Sequence, residues 1–533
     1  MWVLGINWKW HDSSAALVDE TGKVWAFAEE ERFTRSKHAW DTFPSRATQY
    51  CLSVAGITWQ DIDTVAVGWD VAHLRDSEDA LFSAIFDTDL PAADRPQLVF
   101  VKHHLAHAIS SFYASGRERG GVLVVDGSGE TNSATIYRAD RATGLTPLRS
   151  WDRRFSLGSL YMAATQHLGF GRLDAGKTMG LSSHGMNDSS FILPIGDLLT
   201  ESLGTSPVAD TDPGQHFDVF TAAWAAHLDN QFGTIKTGTP DLHLDPIARQ
   251  IAATAQRTVE TVFRALHAET AALSGYETVC LAGGVALNCV ANGMLPEPVY
   301  IPPFPHDAGV ALGAAWSICP PRATGAPLSP YLGTQITLGD EIQMLREAGC
   351  TVSEFDAQAV AQALCAGKVG AVAQGRAEVG PRALGHRSIV ALPRPATVQA
   401  KVNQLKDREG WRPFAPIALA DYAPRLWPRQ GTRSQYMIGT AVVSGAGREI
   451  LPAAAHVDGT TRPQEVSATQ DMHIAEVLKE LERGGIPPVL INTSFNGRGE
   501  PIVNTAHDAA RTFLTLGLDF LVLDDCLIKR PDN

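Results

Sequence analysis

One device occurs twice in this chain of 533 residues: an apolar strand runs into an acidic, hydroxyl-rich turn and resumes as a second strand. Residues 2–7 meet the turn His11-Asp12-Ser13-Ser14, continue as 15–18, turn again at Thr21-Gly22 and return through 23–29. Much later, 121–125 ends in Asp126-Gly127-Ser128-Gly129-Glu130, and an alternating strand resumes at 133–137. Short apolar runs bounded by turn residues read as paired strands. The first part of the chain must therefore fold around the same strand, turn, strand unit in two places.

Between 246 and 274 the apolar positions Ile247, Ile251, Val259, Val262, Phe263, Leu266 and Leu273 recur with a period near 3.6, which predicts a helix that Gly275 ends. The strand that follows, 278–282, runs into Gly283-Gly284 and then a small-residue segment, 285–291, able to start another helix. A strand, glycine turn and helix start make an edge suited to phosphate or a nucleotide, because unpaired amides at a helix N-terminus attract anions.

Single cores stop growing near about 250–300 residues, so a chain of this length divides into two large domains. The proline-rich stretch 320–327 marks the boundary, giving expected domains at 1–325 and 336–533. The second opens with helices at 340–348 and 357–366 and a strand at 369–373, and a cluster of arginines follows. A formal net charge of −14 argues against a surface built to hold nucleic acid, so an anion site must be a pocket. The seven cysteines contain no C-x-x-C pair and read as reduced, and no run approaches the ~18 apolar residues of a membrane helix. Lys9, His11 and Asp12 interrupt any signal-peptide core. A cytoplasmic enzyme is expected.

Several motifs carry chemistry. In Lys102-His103-His104-Leu105-Ala106-His107, His103 and His107 are four apart and share a helix face, while His104 points off it. Asp126, at a strand end, and Asp307, in His306-Asp307-Ala308-Gly309, are candidates to complete a His-and-carboxylate site suited to iron, manganese or zinc; the same histidine spacing also occurs where both rings are hydrogen-bonded core residues. Residues 171–178, G-R-L-D-A-G-K-T, match the P-loop pattern. A P-loop joins a buried strand to a helix, and here 160–167 reads as helical and 178–185 shows no helical period. Lys177 stays a candidate for phosphate or substrate contact. In the second domain Arg376, Arg382 and Arg387 punctuate a Gly/Pro-rich loop, followed by Lys406, Arg408, Arg412 and Arg462. Guanidinium forks suit phosphate, although a solvated basic face has the same spacing. Ser494 and Asn496, two apart after the strand 489–491, face one side if extended, or build an Asx turn.

Together these residues resemble the NodU/CmcH family, which includes nodulation-factor and antibiotic O-carbamoyltransferases. The resemblance covers almost the whole chain. It rests on H-D-x-S-A-A-type residues 11–16, H-H-L-A-H-A at 103–108, V-D-G-S-G-E at 125–130, G-K-T-M-G-L at 176–181, G-G-V-A-L-N at 283–288 and H-D-A-G-V-A-L-G-A-A at 306–315. In the second domain it rests on G-P-R-A-L-G at 380–385, R-P-F-A-P at 412–416, D-G-T-x-R-x-Q at 458–464 and N-T-S-F-N-x-x-G-E-P-I-V at 492–503.

The resemblance implies an α/β protein: an actin-like (ASKHA) ATPase-type duplicated domain followed by a YrdC-like α/β domain. It implies ATP-dependent O-carbamoyl transfer, in which the second domain takes carbamoyl phosphate and ATP to carbamoyl adenylate and the first passes the carbamoyl group to a hydroxyl of a small-molecule natural product, an antibiotic or a sugar. In the first domain it assigns His103, His107, Asp126 and Asp307 to a divalent metal, iron(II) first and manganese or zinc as alternatives, with Mg2+ accompanying ATP. Gly127, Ser128, Gly129, Lys177, Gly283, Gly284 and Asn288 would contact the nucleotide. His11, oriented by Asp12, would position or deprotonate the acceptor hydroxyl, unless it serves only as a hydrogen-bond partner in a capped turn. Arg382, Arg412 and Arg462 would hold carbamoyl phosphate, with Lys406, Arg408, Ser494 and Asn496 on the nucleotide. Residues 186–245 would shape the acceptor pocket. No nucleic acid or membrane partner is expected, and oligomerisation is left open. The component folds also occur in tRNA threonylcarbamoyladenosine synthesis, an alternative that the acidic charge disfavours, and hydrogenase maturation would require cysteine-rich zinc fingers that are absent from this sequence. A nucleotide-binding regulator without transferase activity is a third reading.

Overall fold

A computed structural model describes residues 1–185, 193, 213–233, 235, 241–467, 469 and 472–531. Of the segment 186–245 expected to shape an acceptor pocket, most of 186–212 and 236–240 lies outside the described residues. The chain divides into two units, Met1–Glu30 with His38–Ser329, and Glu31–Lys37 with Pro330–Asn533.

The first unit contains two five-stranded sheets. Strands β1 (Trp2–Asn7), β2 (Ser14–Asp19), β3 (Val24–Glu29), β4 (Thr64–Val67) and β5 (Gln97–Phe100) lie in the order β3-β2-β1-β4-β5. The pairs β1/β2 and β2/β3 are antiparallel, and β1/β4 and β4/β5 are parallel. Strands β6 (Arg119–Val125), β7 (Asn132–Asp140), β8 (Gly144–Asp152), β9 (Val279–Ala282) and β10 (Val299–Tyr300) repeat that plan as β8-β7-β6-β9-β10 with the same directions. The twice-used turn of the sequence is thus the β1–β2 turn of one repeat and the β6–β7 turn of the other, the duplicated α/β arrangement implied by the actin-like resemblance.

Each repeat is followed by a helix, His103–Ala114 after β5 and Ala308–Ile318 after β10. Both are buried along nearly their whole length and pack on each other through small residues. A Cβ at Gly313 would lie 1.8 Å from the Ala106 carbonyl oxygen, and one at Gly5 of β1 would lie 1.9 Å from that of Ala311. Backbone therefore meets backbone at Ala106, between His103 and His107. Gly313→Ala is expected to destabilise the chain by about 3 kcal/mol, the upper end of overpacking costs, read as a lowered midpoint in denaturant unfolding.

The second unit is built on an eight-stranded mixed sheet. Its strands are β11 (Thr351–Glu354), β12 (Gly370–Ala373), β13 (Arg387–Ala391), β14 (Ala415–Leu419), β17 (Gln464–Val466), β18 (Val489–Ser494), β19 (Phe520–Leu523) and β20 (Cys526–Lys529), in the order β11-β20-β19-β12-β13-β18-β14-β17. A two-stranded ribbon, β15 (Ala441–Val442) with β16 (Thr460–Thr461), accompanies it. Alternate residues serve opposite faces: Ala371, Ile389, Ile491 and Leu521 join a core with Trp427, Phe495 and Phe513, while Val372, Val390, Leu490 and Val522 join one with Leu364, Leu478 and Phe520. Burial on both faces explains the continuous apolar runs of these strands. This is the α/β second domain expected.

Three sequence readings change. The first domain is not continuous from 1 to 325, because Glu31–Lys37 belongs to the second unit. There Arg32 donates to the Gly380 carbonyl at 2.6 Å, Arg35 donates to those of Ile502 and Pro501 at 2.7 and 2.8 Å, and Arg35 stands 3.5 Å from Asp508. Residues Ala175–Ser182 form a helix despite their glycines. The element before them is the helix Leu157–His167, not a strand, so 171–178 lacks the strand a P-loop requires. Arg376 and Arg387 do not reach for an anion. Arg387 is wholly buried and donates to the carbonyls of Asn504, Gln374, His386, Thr334 and Gly375, and Arg376 donates to those of Gly333 and Leu332. Both arginines knit the loop together.

Candidate functional site

Four side chains of the first unit converge. His103 and His107 lie in the first turns of the helix after β5, Asp126 directly follows β6, and Asp307 precedes the helix after β10. All four are buried, and one ligand atom from each lies within 4.8 Å of the others. His103 Nε2 is 3.2 Å from Asp126 Oδ2 and 3.6 Å from Asp307 Oδ1; His107 Nε2 is 3.8 and 3.4 Å from the same oxygens, and the two Nε2 atoms are 3.1 Å apart. Bonds of about 2.0–2.2 Å to a tetrahedral ion require edges of about 3.3–3.6 Å. The donor set fits a divalent transition metal in size and in its mix of imidazole and carboxylate.

The surroundings fix this set. His103 Nδ1 bonds the Gly68 carbonyl at 3.1 Å, which turns Nε2 toward the carboxylates, and its ring stacks on Trp69 at 3.6 Å. Asp126 Oδ1 accepts from the Gly284 amide at 2.8 Å, leaving Oδ2 for the histidines. Glu130 accepts from the amide of His103 at 2.7 Å and so caps the helix start with a negative charge. His104 faces away, bonding Thr135 Oγ1 at 2.8 Å, and burial lowers its pKa to about 3.

The charges are interlocked. Burial opposes ionisation of Asp307, but His103 and His11 hold it well below the usual carboxylate range. Asp126 is also held low by His103 and His107 against burial and Asp307. Burial disfavours the charged form of His11, yet Asp307 and Asp12 outweigh it and raise its pKa to about 9.

Beside this centre, His11 Nδ1 lies 3.0 Å from Asp12 Oδ2 and 3.9 Å from Asp307 Oδ2. The buried Asn7 side chain donates to the carbonyls of His11 and Asp12 at 3.2 and 3.0 Å, pinning the turn to β1. Asp12 has a second partner that sequence reasoning missed: His38 Nδ1, 2.9 Å from Oδ1. A further buried pair, His306 Nε2 with Glu29 Oε1 at 3.4 Å, was also missed. Neither pair has a spacing signature, since its members are far apart in the sequence.

Of the residues assigned to a nucleotide, Gly127, Ser128 and Gly129 form the β6–β7 turn, and Gly283 and Gly284 leave β9. Gly283 has φ +90°, and a Cβ there would lie 2.2 Å from the Val125 carbonyl oxygen, so that position needs glycine. Asn288 is engaged internally: it exchanges two hydrogen bonds of 3.0 Å with Gln256 and caps the Ala291 amide. Lys177 pairs with Asp174 at 3.0 Å.

In the second unit, Lys406, which follows the helix Thr397–Leu405, is buried, and its ammonium bonds Asn496 Oδ1 at 2.9 Å, the Asn496 carbonyl at 3.1 Å, and the Ser494 carbonyl. Ser494 Oγ donates to Asn496 Oδ1 at 2.6 Å. Burial, then Arg408, Arg412 and Lys37, hold the Lys406 pKa well below its ordinary value. Burial, Arg412 and Arg462 do the same to Arg408, which lies over Phe414 and donates to the Pro413 carbonyl at 3.0 Å. Lys37 is a cation of this cluster that its place in the sequence hides. Arg382 lies in the loop joining β12 to β13.

No helix among the described residues is long and apolar enough to cross a membrane. The family model described as carbamoyltransferase N-terminus matches residues 2–78 and 78–316, and that described as carbamoyltransferase C-terminus matches 361–530. The chain is 33% identical to nodulation protein NolNO of Sinorhizobium fredii over 98% of its length and 79% of the relative's. It is 33% identical to nodulation protein NolO of Bradyrhizobium diazoefficiens over 81% of its length and 79% of the relative's, and 37% identical to nodulation protein U of Rhizobium tropici over 44% and 41%. The chain belongs to the carbamoyltransferase family and is an enzyme that transfers a carbamoyl group.

Proposed function

We propose that this carbamoyltransferase is ATP-dependent and divides its chemistry between the two units. In the second, one water hydrolyses carbamoyl phosphate to phosphate and carbamate, and a carbamate oxygen attacks the α-phosphorus of ATP, so that carbamoyl adenylate forms and pyrophosphate leaves. In the first, the oxygen of an acceptor hydroxyl attacks the carbamoyl carbon, the bond to AMP breaks, and the hydroxyl proton passes to His11. The acceptor is a small-molecule natural product, an antibiotic or a sugar.

What supports this reading is that each unit gathers its own polar cluster, the four buried His and Asp side chains in the first and the partly buried cations around buried Lys406 in the second. Arg408, Arg412 and Arg462 supply positive charge for phosphates, Lys406 gains its charge as a phosphate binds, and Ser494 and Asn496 supply hydroxyl and amide groups beside it. A buried site also shields carbamate from water, in which it decomposes. In the first unit, His103, His107, Asp126 and Asp307 would hold a divalent ion, iron(II) in preference to manganese or zinc, which when bound neutralises phosphate charge on the departing AMP. A divalent ion on Asp126 and Asp307 would offset the carboxylate charge that raises the His11 pKa, so that His11, next to that centre and partly exposed, would be neutral and placed to take a proton.

The test is mass spectrometry of hydroxylated metabolites incubated with the enzyme, ATP and carbamoyl phosphate, looking for the gain of one carbamoyl group. His11→Asn is expected to abolish that gain, a loss of about 100-fold or more for a general base, and to leave carbamoyl-phosphate-dependent pyrophosphate release intact. Loss of both activities would show that the division of labour is wrong.

A further inference from the structure

We propose that His38 is a positioning residue for carbamoyl transfer: with Asp12 it forms a clamp that fixes which ring nitrogen of His11 faces the acceptor hydroxyl. This role presupposes the assignment of His11 as proton acceptor made above. The Asp12 carboxylate is shared, Oδ2 with His11 Nδ1 at 3.0 Å and Oδ1 with His38 Nδ1 at 2.9 Å. An ionised carboxylate only accepts, so each histidine presents an N–H at Nδ1. In neutral His11 the single ring proton then sits on Nδ1, and Nε2 carries the lone pair that takes the hydroxyl proton. With one partner alone the carboxylate is able to rotate about its Cβ–Cγ bond; the second bond, on the other oxygen, stops it.

The backbone around the clamp is strained in a way that a passive loop is not. Lys9, Trp10 and Asp12 on one segment, and His38, Ala39 and Asp41 on the other, all have positive φ, between +39° and +75°. Each such non-glycine residue costs about 1–3 kcal/mol and persists only where the surroundings over-determine it. Here the two segments hold each other: the Asp12 amide donates to the His38 carbonyl at 2.7 Å, and the Asp41 amide to that of Trp10 at 2.8 Å. The strain is spent on bringing the three clamp residues, of which Asp12 and His38 lie 26 positions apart, into one hydrogen-bonded row.

Position 38 offers a clean set of variants. At φ +66° glycine is unstrained, so His38→Gly removes the clamp bond without a backbone penalty. Asparagine also tolerates this region, and its amide N–H stands in for Nδ1–H. Ring protons shared with a carboxylate appear at low field in proton NMR spectra, which gives a readout independent of the acceptor. In the full-length, zinc-loaded protein two of these low-field signals are expected to come from the clamp, one absent from His11→Asn and the other from His38→Asn. In His38→Gly the His11 signal is expected to broaden or vanish, while His38→Asn keeps it. With the acceptor returned by the metabolite screen, kcat for transfer falls by about tenfold or more in His38→Gly and recovers to within about threefold in His38→Asn; pyrophosphate release is unchanged in both. An unaltered His11 signal and full transfer in His38→Gly would overturn the clamp, and an inactive His11→Asn alongside would leave the proposed function standing. If His11→Asn itself transfers at the parental rate, the base assignment falls and the clamp with it.

Discussion

His107→Ala is expected to leave the protein folded but without its divalent metal, with metal content measured by plasma mass spectrometry falling from near one per chain toward zero and transfer lost. Outer-shell substitutions alone cost about 10–100-fold in metal affinity, so loss of a direct ligand is expected to cost more. His104→Ala is the internal control. Its ring, one residue from His103, bonds Thr135 rather than the carboxylates, so the metal should stay. Full metal retention in His107→Ala would show that the four converging side chains are a hydrogen-bonded cluster and nothing more.

Lys406→Ala is expected to abolish carbamoyl-phosphate-dependent pyrophosphate release while sparing transfer from supplied carbamoyl adenylate. Removal of the ammonium also strips a donor from Asn496 Oδ1 and from the carbonyls of Ser494 and Asn496, a cost of about 1–3 kcal/mol if they are left unpaired. Lys406→Arg separates the two effects, since it restores charge. A pH dependence follows. The pKa of Lys406 is lowered in the free enzyme by burial and by neighbouring cations. A bound phosphate raises it, because an opposite charge favours the charged form. Between the two values nucleotide binding takes up a proton, so affinity weakens as pH rises through that window. Calorimetry in buffers of different ionisation enthalpy should show up to about one proton taken up per ATP, and no uptake in Lys406→Ala.

The convergence of two histidines and two aspartates was legible because the fold is a duplication. Two turns and two helix starts, each used once per repeat, supply His11 with Asp12, Asp126, His103 with His107, and Asp307. Short-range spacing located the histidines, and the repeated turn located Asp126. What spacing could not reveal is any contact made by a side chain to a distant carbonyl. Arg387 sits in the same glycine-rich motif as Arg382 and looks like an anion ligand, yet its five acceptors are backbone oxygens, including those of Thr334 and Asn504, that only folding gathers. His38 was missed for the same reason: its link to Asp12 depends on left-handed backbone at both residues, which carries no mark in the residue types.

The placement of Glu31–Lys37 in the second unit has a genetic corollary. A gene interrupted near codon 330 would not yield two self-sufficient proteins, because the C-terminal product would lack Arg32, Arg35 and Lys37, which the N-terminal product would still carry. Fission of the two activities into separate polypeptides would require a compensating replacement for that short stretch of sequence, a barrier that favours their inheritance as one reading frame.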